Sequence, residues 1–105
     1  MNYILMHSLE KNYQKNTLNS FLKEGYEIIY HENSDIIIRK EKIIDEETYI
    51  KITISILNKN NIIKKSKSKI VDLTKAFEYA KAKGKYNKLN NKFDWYIRNI
   101  IVNML

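Results

Sequence analysis

The sequence predicts an α+β fold in the order α-β-β-β-α-α, with a three-stranded antiparallel sheet packed against helices. Three observations predict it. Apolar residues recur at helical spacing before Gly25 and before Gly84; residues 26–31 and 35–40 read as two short strands; and residues 48–57 alternate apolar with polar. The chain has 105 residues, no proline and no linker-like stretch, so we expect one domain spanning residues 1–105.

The N-terminal part predicts a helix followed by a hairpin. The spacing of five apolar residues indicates a helix from about residue 8 to 24 that ends at Gly25: Leu9, Tyr13, Leu18, Phe21 and Leu22. Ser8 and Asn16 are its alternative caps, with a break near Asn16 as one reading. YEIIYH and DIIIRK flank the turn sequence ENS, which is typical of a hairpin. NYILM, at 2–6, is either an extra strand or the start of the helix.

The segment TYIKITISIL (48–57) gives the clearest alternation in the chain. Ile50, Ile52, Ile54 and Ile56 share one parity, which predicts a strand with one buried and one solvated face. Residues 45–47 (DEE) are then a turn, and residues 58–61 (NKNN) end the sheet or lead to a short extra strand at 62–63. The second face of the sheet is expected to remain available.

Two helices are predicted after the sheet. The first spans about 69–83, with Ile70, Leu73, Phe77 and Ala80 on one face and Ser68 as its cap. The second spans about 91–104, capped by Asn91, with Asp94 in its first turn. Its inward residues are expected to be Phe93, Ile97, Ile100 and Met104.

Charge is distributed unevenly along the chain. Residues 1–58 contain seven Lys/Arg and nine Asp/Glu, whereas residues 59–105 contain twelve Lys/Arg and three Asp/Glu. Such asymmetry indicates a polyanionic partner or an acidic protein surface. Solubility, or codon bias toward Lys, Asn and Ile, is the alternative explanation.

The sequence offers no convincing catalytic set. There is no cysteine, there are only two histidines, His7 and His31, and two distant glycines cannot form a phosphate-binding loop. The clustered acids at 45–47 are expected to be a solvated turn. We therefore expect no catalytic residue, no metal and no cofactor. Without an apolar run of membrane-spanning length or a signal sequence, a cytoplasmic protein is the default expectation.

The lysines of the C-terminal half form the main candidate site. IIKKSKSK (62–69) precedes a predicted helix, where ammonium groups and helix N-terminal amides can face one anion. Further lysines follow, interleaved with aromatic residues on which bases can stack. The predicted nucleic-acid or anion-binding residues are Lys64, Lys65, Lys67, Lys69, Lys75, Lys81, Lys83, Lys85, Lys88, Lys92 and Tyr86.

The last predicted helix offers a second candidate surface. If Ile97 faces the core, then Trp95, Arg98 and Val102 lie on the opposite side at helical spacing. An exposed tryptophan beside an arginine is typical of a protein interface, including a homodimer. The alternative is a helix buried all round, with Trp95 in the core.

Three families share features with the chain. The order helix, three strands, helix, with Lys64-Lys65-Ser66-Lys67 at the final helix, resembles double-stranded RNA-binding domains. The presence of Lys, Tyr and His without a metal site is similar to metal-free ribonuclease toxins of the RelE type. Size, composition and the element order LNSFLKEG, YEIIYH, DIIIRK, TYIKITISIL and two helices resemble the small phage-encoded anti-CRISPR inhibitors.

These patterns predict a non-catalytic binding protein that engages nucleic acid, or a nucleoprotein complex, through a lysine-rich surface. The anti-CRISPR resemblance implies inhibition of a host defence nucleoprotein. The alternatives are a protein-interaction module or homodimer built on the C-terminal helix, and a metal-free ribonuclease. The first two differ in salt dependence, because a phosphate-dominated complex weakens steeply as salt rises.

Overall fold

A four-stranded antiparallel sheet organises the protein. The computed structural model describes residues 1–32, 35–59 and 69–83, together with Trp95, Ile97 and Asn99, which have helical backbone. The elements are, in chain order, β1 (Tyr3–His7), α1 (Lys11–Lys23), β2 (Glu27–Glu32), β3 (Asp35–Arg39), α2 (Glu46–Lys59), β4 (Lys69–Asp72) and α3 (Thr74–Lys83). The strand order across the sheet is β2-β3-β1-β4. The predicted α+β class is confirmed, and the predicted three-stranded antiparallel sheet with a possible extra strand fits the four strands. The order of the elements along the chain differs from the predicted α-β-β-β-α-α.

The strand β1 lies inside the sheet, which settles the open reading of residues 2–6. It pairs antiparallel with β3 from Tyr3↔Arg39 to His7↔Asp35, and with β4 from Ile4↔Asp72 to His7↔Lys69. All five of its residues are buried. A strand buried on both faces is a continuous apolar run without alternation, which is why the sequence pattern did not identify it.

Both faces of the sheet are covered, so the prediction of an available face is wrong. Tyr3, Leu5 and Ile37 pack on one side with residues of α2, α3 and Ile97. Ile4, Met6, Ile36 and Ile38 pack on the other with Leu9 and Tyr26, and with the half-buried Leu18 and Phe21 of α1. The molecule therefore has three layers, with α1 on one face of the sheet and α2 and α3 on the other.

The predicted strand at 48–57 is wrong, because these residues belong to the helix α2. The isoleucines of this segment alternate with a period of two residues, but the buried side chains follow the helical period. The buried positions recur three or four residues apart, which is the period of one helix face: Glu46, Tyr49, Ile50, Thr53, Ile56 and Leu57. Ile52 and Ile54 are only half-buried.

The boundaries around α2 also differ from prediction. Glu46 and Glu47, expected in a turn, form the first turn of α2, where the helix dipole favours acidic side chains. Glu47 accepts a hydrogen bond from Lys51 at 3.1 Å, the i,i+4 spacing that supports a helix. Asn58 and Lys59 end the helix and do not end the sheet. The predicted short strand at 62–63 lies outside the described residues.

The helix predicted from residue 69 begins five residues later. Residues 69–72 form the edge strand β4, and the Asp72 carboxylate accepts a hydrogen bond from the Thr74 backbone N–H at 2.9 Å, which starts α3. Ile70, Leu73, Phe77 and Ala80 fit helical spacing, but the first two belong to the strand and the junction. The predicted cap Ser68, and Gly84, lie outside the described residues.

The N-terminal helix and the hairpin are close to prediction. The cap of α1 is Glu10, whose carboxylate accepts from the backbone N–H groups of Asn12 and Tyr13, instead of Ser8 or Asn16; the same bonds lower the pKa of Glu10. The helix is continuous through Asn16. Gly25 follows it with φ +99°, a conformation that favours glycine. β2 and β3 form the expected hairpin, with a register shift between Ile28 and Tyr30.

Replacement of exposed Ser55 by Ala and by Val tests the helical state of residues 48–57. We expect Ser55→Ala to be more stable than Ser55→Val by about 0.5 kcal/mol, because a helix favours Ala whereas a strand favours Val. Urea denaturation measures the difference. Asn19, exposed in α1, provides the matched pair Asn19→Ala and Asn19→Val, which should follow the same order. The reverse order at Ser55 alone would support the strand.

Candidate functional site

The structure describes only part of the predicted lysine surface. Lys75 and Lys81 are exposed on α3, Lys69 begins β4, and Lys83 ends α3. These lysines follow one another along the edge strand and the helix packed beside it. The other predicted members lie outside the described residues: Lys64, Lys65, Lys67, Lys85, Lys88, Lys92 and Tyr86.

Trp95 is exposed and its neighbour Ile97 is buried, as predicted if Ile97 faces the core. The exposed fraction is 55% for Trp95 and 0% for Ile97. Ile97 packs in the same cluster as Phe77 and Ala80 of α3. The alternative in which Trp95 lies in the core is wrong. Arg98 and Val102, the other predicted interface residues, lie outside the described residues, as do Phe93, Ile100 and Met104.

The sheet topology separates β4 from the carboxylates of β2, although β4 and the helix that follows it carry Asp72 and Glu78 themselves. β4 is one edge of the sheet and β2, with Glu27 and Glu32, is the other. Three strand spacings, about 14 Å in all, separate these edges. The separation is not complete, because Lys81 and Asp45 line the same small cleft of about 190 Å³.

A buried polar cluster connects the sheet to the start of α2. The Tyr3 hydroxyl donates to Glu46 Oε1 at 3.0 Å and accepts from the Ile43 backbone N–H at 3.3 Å. Arg39 Nε donates to the same carboxylate at 2.5 Å, and its Nη1 donates to Glu27 at 3.2 Å. This cluster has no local sequence signature, because Tyr3 and Glu46 are 43 positions apart.

The pKa values of three tyrosines reflect burial and neighbouring carboxylates. Burial, followed by the hydrogen bond and charge of Glu46, raises the pKa of Tyr3 to about 12, although the Ile43 N–H opposes the shift. Burial and Glu32 raise the pKa of Tyr30 to about 12. Burial and Asp45 raise the pKa of Tyr49. Burial is the main cause of each shift, and the neighbouring carboxylate adds to it.

A cleft of about 720 Å³ opens between β2 and α2. This volume is in the range of ligand sites in proteins. Ile29, Ile50 and Ile54 supply its apolar walls. The polar lining contains four acidic and two basic side chains and is contributed by β2, by α2 and by the segment between β3 and α2: Tyr30, Glu32, Lys42, Asp45, Glu46, Glu47, Lys51 and Ser55.

His7 is paired with Asp35, and the Ser8 hydroxyl lies beside the His7 ring. His7 Nδ1 lies 2.7 Å from Asp35 Oδ1, and both residues are buried. The Ser8 hydroxyl lies 3.3 Å from Nε2 and 3.4 Å from Nδ1 of His7, so it is nearly equidistant and is not along the lone pair of either nitrogen. His31 is exposed on β2. The pair His7–Asp35 therefore joins β1 to β3 at one end of the sheet.

Two features are absent from the described part of the chain. It contains no group of three or more His, Asp or Glu side chains that could hold a metal ion. No helix in it has both the length and the apolar character needed to cross a bilayer.

A comparison of Glu46 with its neighbour Glu47 tests the buried cluster. The side chain of Glu46 is 11% exposed and that of Glu47 is 77% exposed, so Glu46→Gln and Glu47→Gln remove the same charge in two environments. We expect Glu46→Gln to lower the free energy of unfolding by about 2 kcal/mol, because Arg39 loses its nearer and more buried carboxylate partner and keeps the exposed Glu27. Glu47→Gln should lower it by less than about 1 kcal/mol. Equal effects in urea denaturation would contradict this role for Glu46.

No relative identifies the protein. No protein-family model matches the chain, and neither a curated protein nor a solved structure is similar to it. Both the double-stranded RNA-binding and the anti-CRISPR resemblances counted residues 48–57 as a strand, whereas the structure has a helix there. The fold therefore adds no support to either resemblance.

Proposed function

We propose that the protein is a non-catalytic binding protein that engages nucleic acid, or a complex carrying it, through the lysines of its C-terminal half. One observation carries the proposal. The exposed Lys75 and Lys81 lie on a helix that packs on the same hydrophobic cluster as Ile97, whose neighbour Trp95 is exposed. Exposed cations and an exposed aromatic side chain are the usual elements of sequence-tolerant binding to single strands.

The charge of this region supports the proposal. Residues 59–105 carry twelve basic side chains against three acidic ones, so few carboxylates compete for the lysines. Each lysine that contacts a phosphate releases a counterion, so binding should be salt-dependent and tolerant of sequence. The cluster Lys64–Lys69 extends the same run of basic residues up to β4 and is included in the proposed surface.

A more specific form of the proposal is inhibition of a host defence nucleoprotein, as the resemblance to anti-CRISPR inhibitors implies. The strong net positive charge, +7, favours competition for the guide or target strand over imitation of DNA. In that role, a lysine variant that loses nucleic-acid binding also loses inhibition of the effector.

A protein interface is the second candidate function, and the exposure of Trp95 favours it. A partner that buries an indole ring is held largely by apolar contact, so its complex should weaken little as salt rises. Salt dependence therefore separates the two candidates.

Fluorescence anisotropy with labelled single- and double-stranded RNA and DNA tests the proposal. At about 50 mM and about 200 mM salt, wild type should bind with a steep salt dependence. Lys75→Ala/Lys81→Ala should bind more weakly, and its logarithmic salt slope should fall by about 1.4 for single strands. Replacement of Lys64, Lys65, Lys67 and Lys69 by Ala should weaken binding further.

The matched control removes two lysines from the opposite side of the sheet. Lys11 and Lys15 are exposed on α1, so Lys11→Ala/Lys15→Ala changes the net charge by the same amount as Lys75→Ala/Lys81→Ala. Full retention of binding in this control is expected. Equal losses in both double variants would indicate a non-specific charge effect, and no binding by wild type to any probe would refute the proposal.

A further inference from the structure

The outer edge of β2 has no strand beside it in the described part of the chain. β2 is the last strand of the sheet on its side and pairs with β3 alone. Among the described residues, no backbone hydrogen bond joins residues 27–32 to any other element. About half of the backbone N–H and C=O groups of such a strand point away from the sheet. The edge therefore offers a row of donors and acceptors to a further extended chain.

The composition of β2 leaves this edge open to pairing. The strand has six residues and contains neither proline nor lysine, the residues that often block pairing at exposed edges. Its acidic side chains, Glu27 and Glu32, lie at its two ends. The four positions between them carry no charged side chain other than His31. The centre of the strand is therefore free of the usual obstacles to strand addition.

A bulge in β2 directs two consecutive side chains to the cleft between β2 and α2. In a regular strand, neighbouring side chains point to opposite faces of the sheet. Ile29 and Tyr30 both line the cleft, and the register with β3 passes over Ile29. Ile28 is 43% exposed and is not a lining residue. Bulges are over-represented beside functional sites, where they change the direction of a side chain.

The cleft lies where a strand added to β2 would place side chains. Strands are about 4.8 Å apart, and alternate side chains of an added strand point to the side of the sheet that carries α2. Ile29, Ile50 and Ile54 form the apolar walls of the cleft, and Ile29 and Ile54 are only half-buried. An apolar side chain of the added strand would cover them and remove their surface from water. The volume of about 720 Å³ is large enough for an aromatic ring.

The charges of the cleft do not select a charged occupant. Glu46 is paired with Arg39, and Glu47 is paired with Lys51. Lys42 also lies beside the acidic side chains of the lining. Backbone hydrogen bonds and apolar contact are therefore expected to supply the affinity, and the complex should weaken little as salt rises.

A second β2 strand does not suit this edge. Antiparallel pairing of β2 with β2 of another copy would place Glu27 opposite Glu32 at both ends. Like charges directly opposite one another are destabilising. An extended segment of a different sequence avoids this repulsion.

We propose that the edge of β2 and the cleft beside it bind an extended peptide segment of another protein. The segment adds a fifth strand to the four-stranded sheet and places an aliphatic or aromatic side chain between β2 and α2. Its backbone supplies the hydrogen bonds, and the cleft selects the side chain. This activity goes beyond nucleic-acid binding and does not rest on it, because β2 and the lysine-bearing α3 are separate elements.

Selection of peptides on the full-length chain tests the inference. The probe is a phage-displayed library of random peptides of about twelve residues. Enriched peptides should share an aliphatic or aromatic residue within a stretch that contains no proline. The most enriched peptide is then synthesised with a fluorescent label, and its anisotropy should report binding that changes little between about 50 mM and about 200 mM salt.

A tryptophan placed at the cleft provides the matched comparison. Ser55 is exposed and lines the cleft, so the indole of Ser55→Trp should occupy the space needed by the peptide side chain. Ser20 is exposed on α1, on the other face of the sheet, and Ser20→Trp makes the same substitution there. We expect Ser55→Trp to weaken peptide binding about tenfold or more, and Ser20→Trp to leave it unchanged. Both positions are exposed, so urea denaturation should show that both variants fold.

N-methylation of the peptide tests the backbone pairing. A methyl group on an N–H that faces β2 removes one hydrogen bond and should abolish binding, whereas a methyl group on the next N–H should be tolerated. A period of two residues along the peptide therefore identifies an added strand. A peptide held by the cleft alone would show no such period.

Four outcomes would overturn the inference. They are no enrichment of any peptide over phage without an insert, equal peptide binding by Ser55→Trp and Ser20→Trp, no period of two in the methylation series, or self-association of wild type that the peptide does not displace. The last outcome would assign the edge to a second copy. Nucleic-acid binding is measured separately, so neither result affects the other.

Discussion

The side chain of Tyr3 makes the contacts on which the arrangement of the layers depends. Its ring packs against Phe77 of α3, with 4.5 Å between ring centroids. Its hydroxyl bonds to Glu46 at the start of α2 and to the backbone of Ile43. The backbone carbonyl of Tyr3 accepts from the Leu73 N–H at 2.8 Å, where β4 leads into α3. One residue of the central strand thus contacts both helices of one layer. Its ring is buried against Phe77, and its buried hydroxyl has hydrogen-bond partners.

This constraint also determines what the surface presents. Because β1 lies between β3 and β4, the basic C-terminal elements come to one edge of the sheet and the acidic hairpin strand β2 to the other. Because Glu46 is held by Tyr3 and Arg39, α2 begins beside β2, and the cleft lies between them. The positions of the lysine-bearing helix and of the cleft are therefore consequences of the same core contacts.

The sequence predicted those elements whose local signals agree with their tertiary environment. The hairpin has two β-branched runs around a turn, and α1 ends at a glycine with positive φ, so both were identified. The segment 48–57 failed because isoleucines at alternate positions coincide with a helical stripe, and burial against β1 and α3 selects the helix. β4 has only four residues and runs directly into α3, so its apolar positions were assigned to the helix.

The residues of the candidate site also fall into two groups, those that the sequence predicts and those that it does not. The lysines and Trp95 were identified from composition and helical spacing, which a sequence shows directly. The cluster of Tyr3, Arg39 and Glu46 and the cleft beside it were missed, because residues distant in the chain form them. The signal available for α2 was Glu47 four residues before Lys51, with acidic residues at the start of an apolar segment. That signal predicts the helix, but it does not predict the cleft, because residues of β2 also line the cleft.

Native-state hydrogen exchange tests the central role of β1 most directly. Amides of Ile4 to Met6 should exchange only through global unfolding, because β1 is buried on both faces and bonded on both edges. Amides of α1, which has no buried residue, should exchange at least tenfold faster, because the helix can unfold locally while the rest of the protein stays folded. Protection of β1 equal to or below that of α1 would contradict the account, because the layers would then not depend on the central strand.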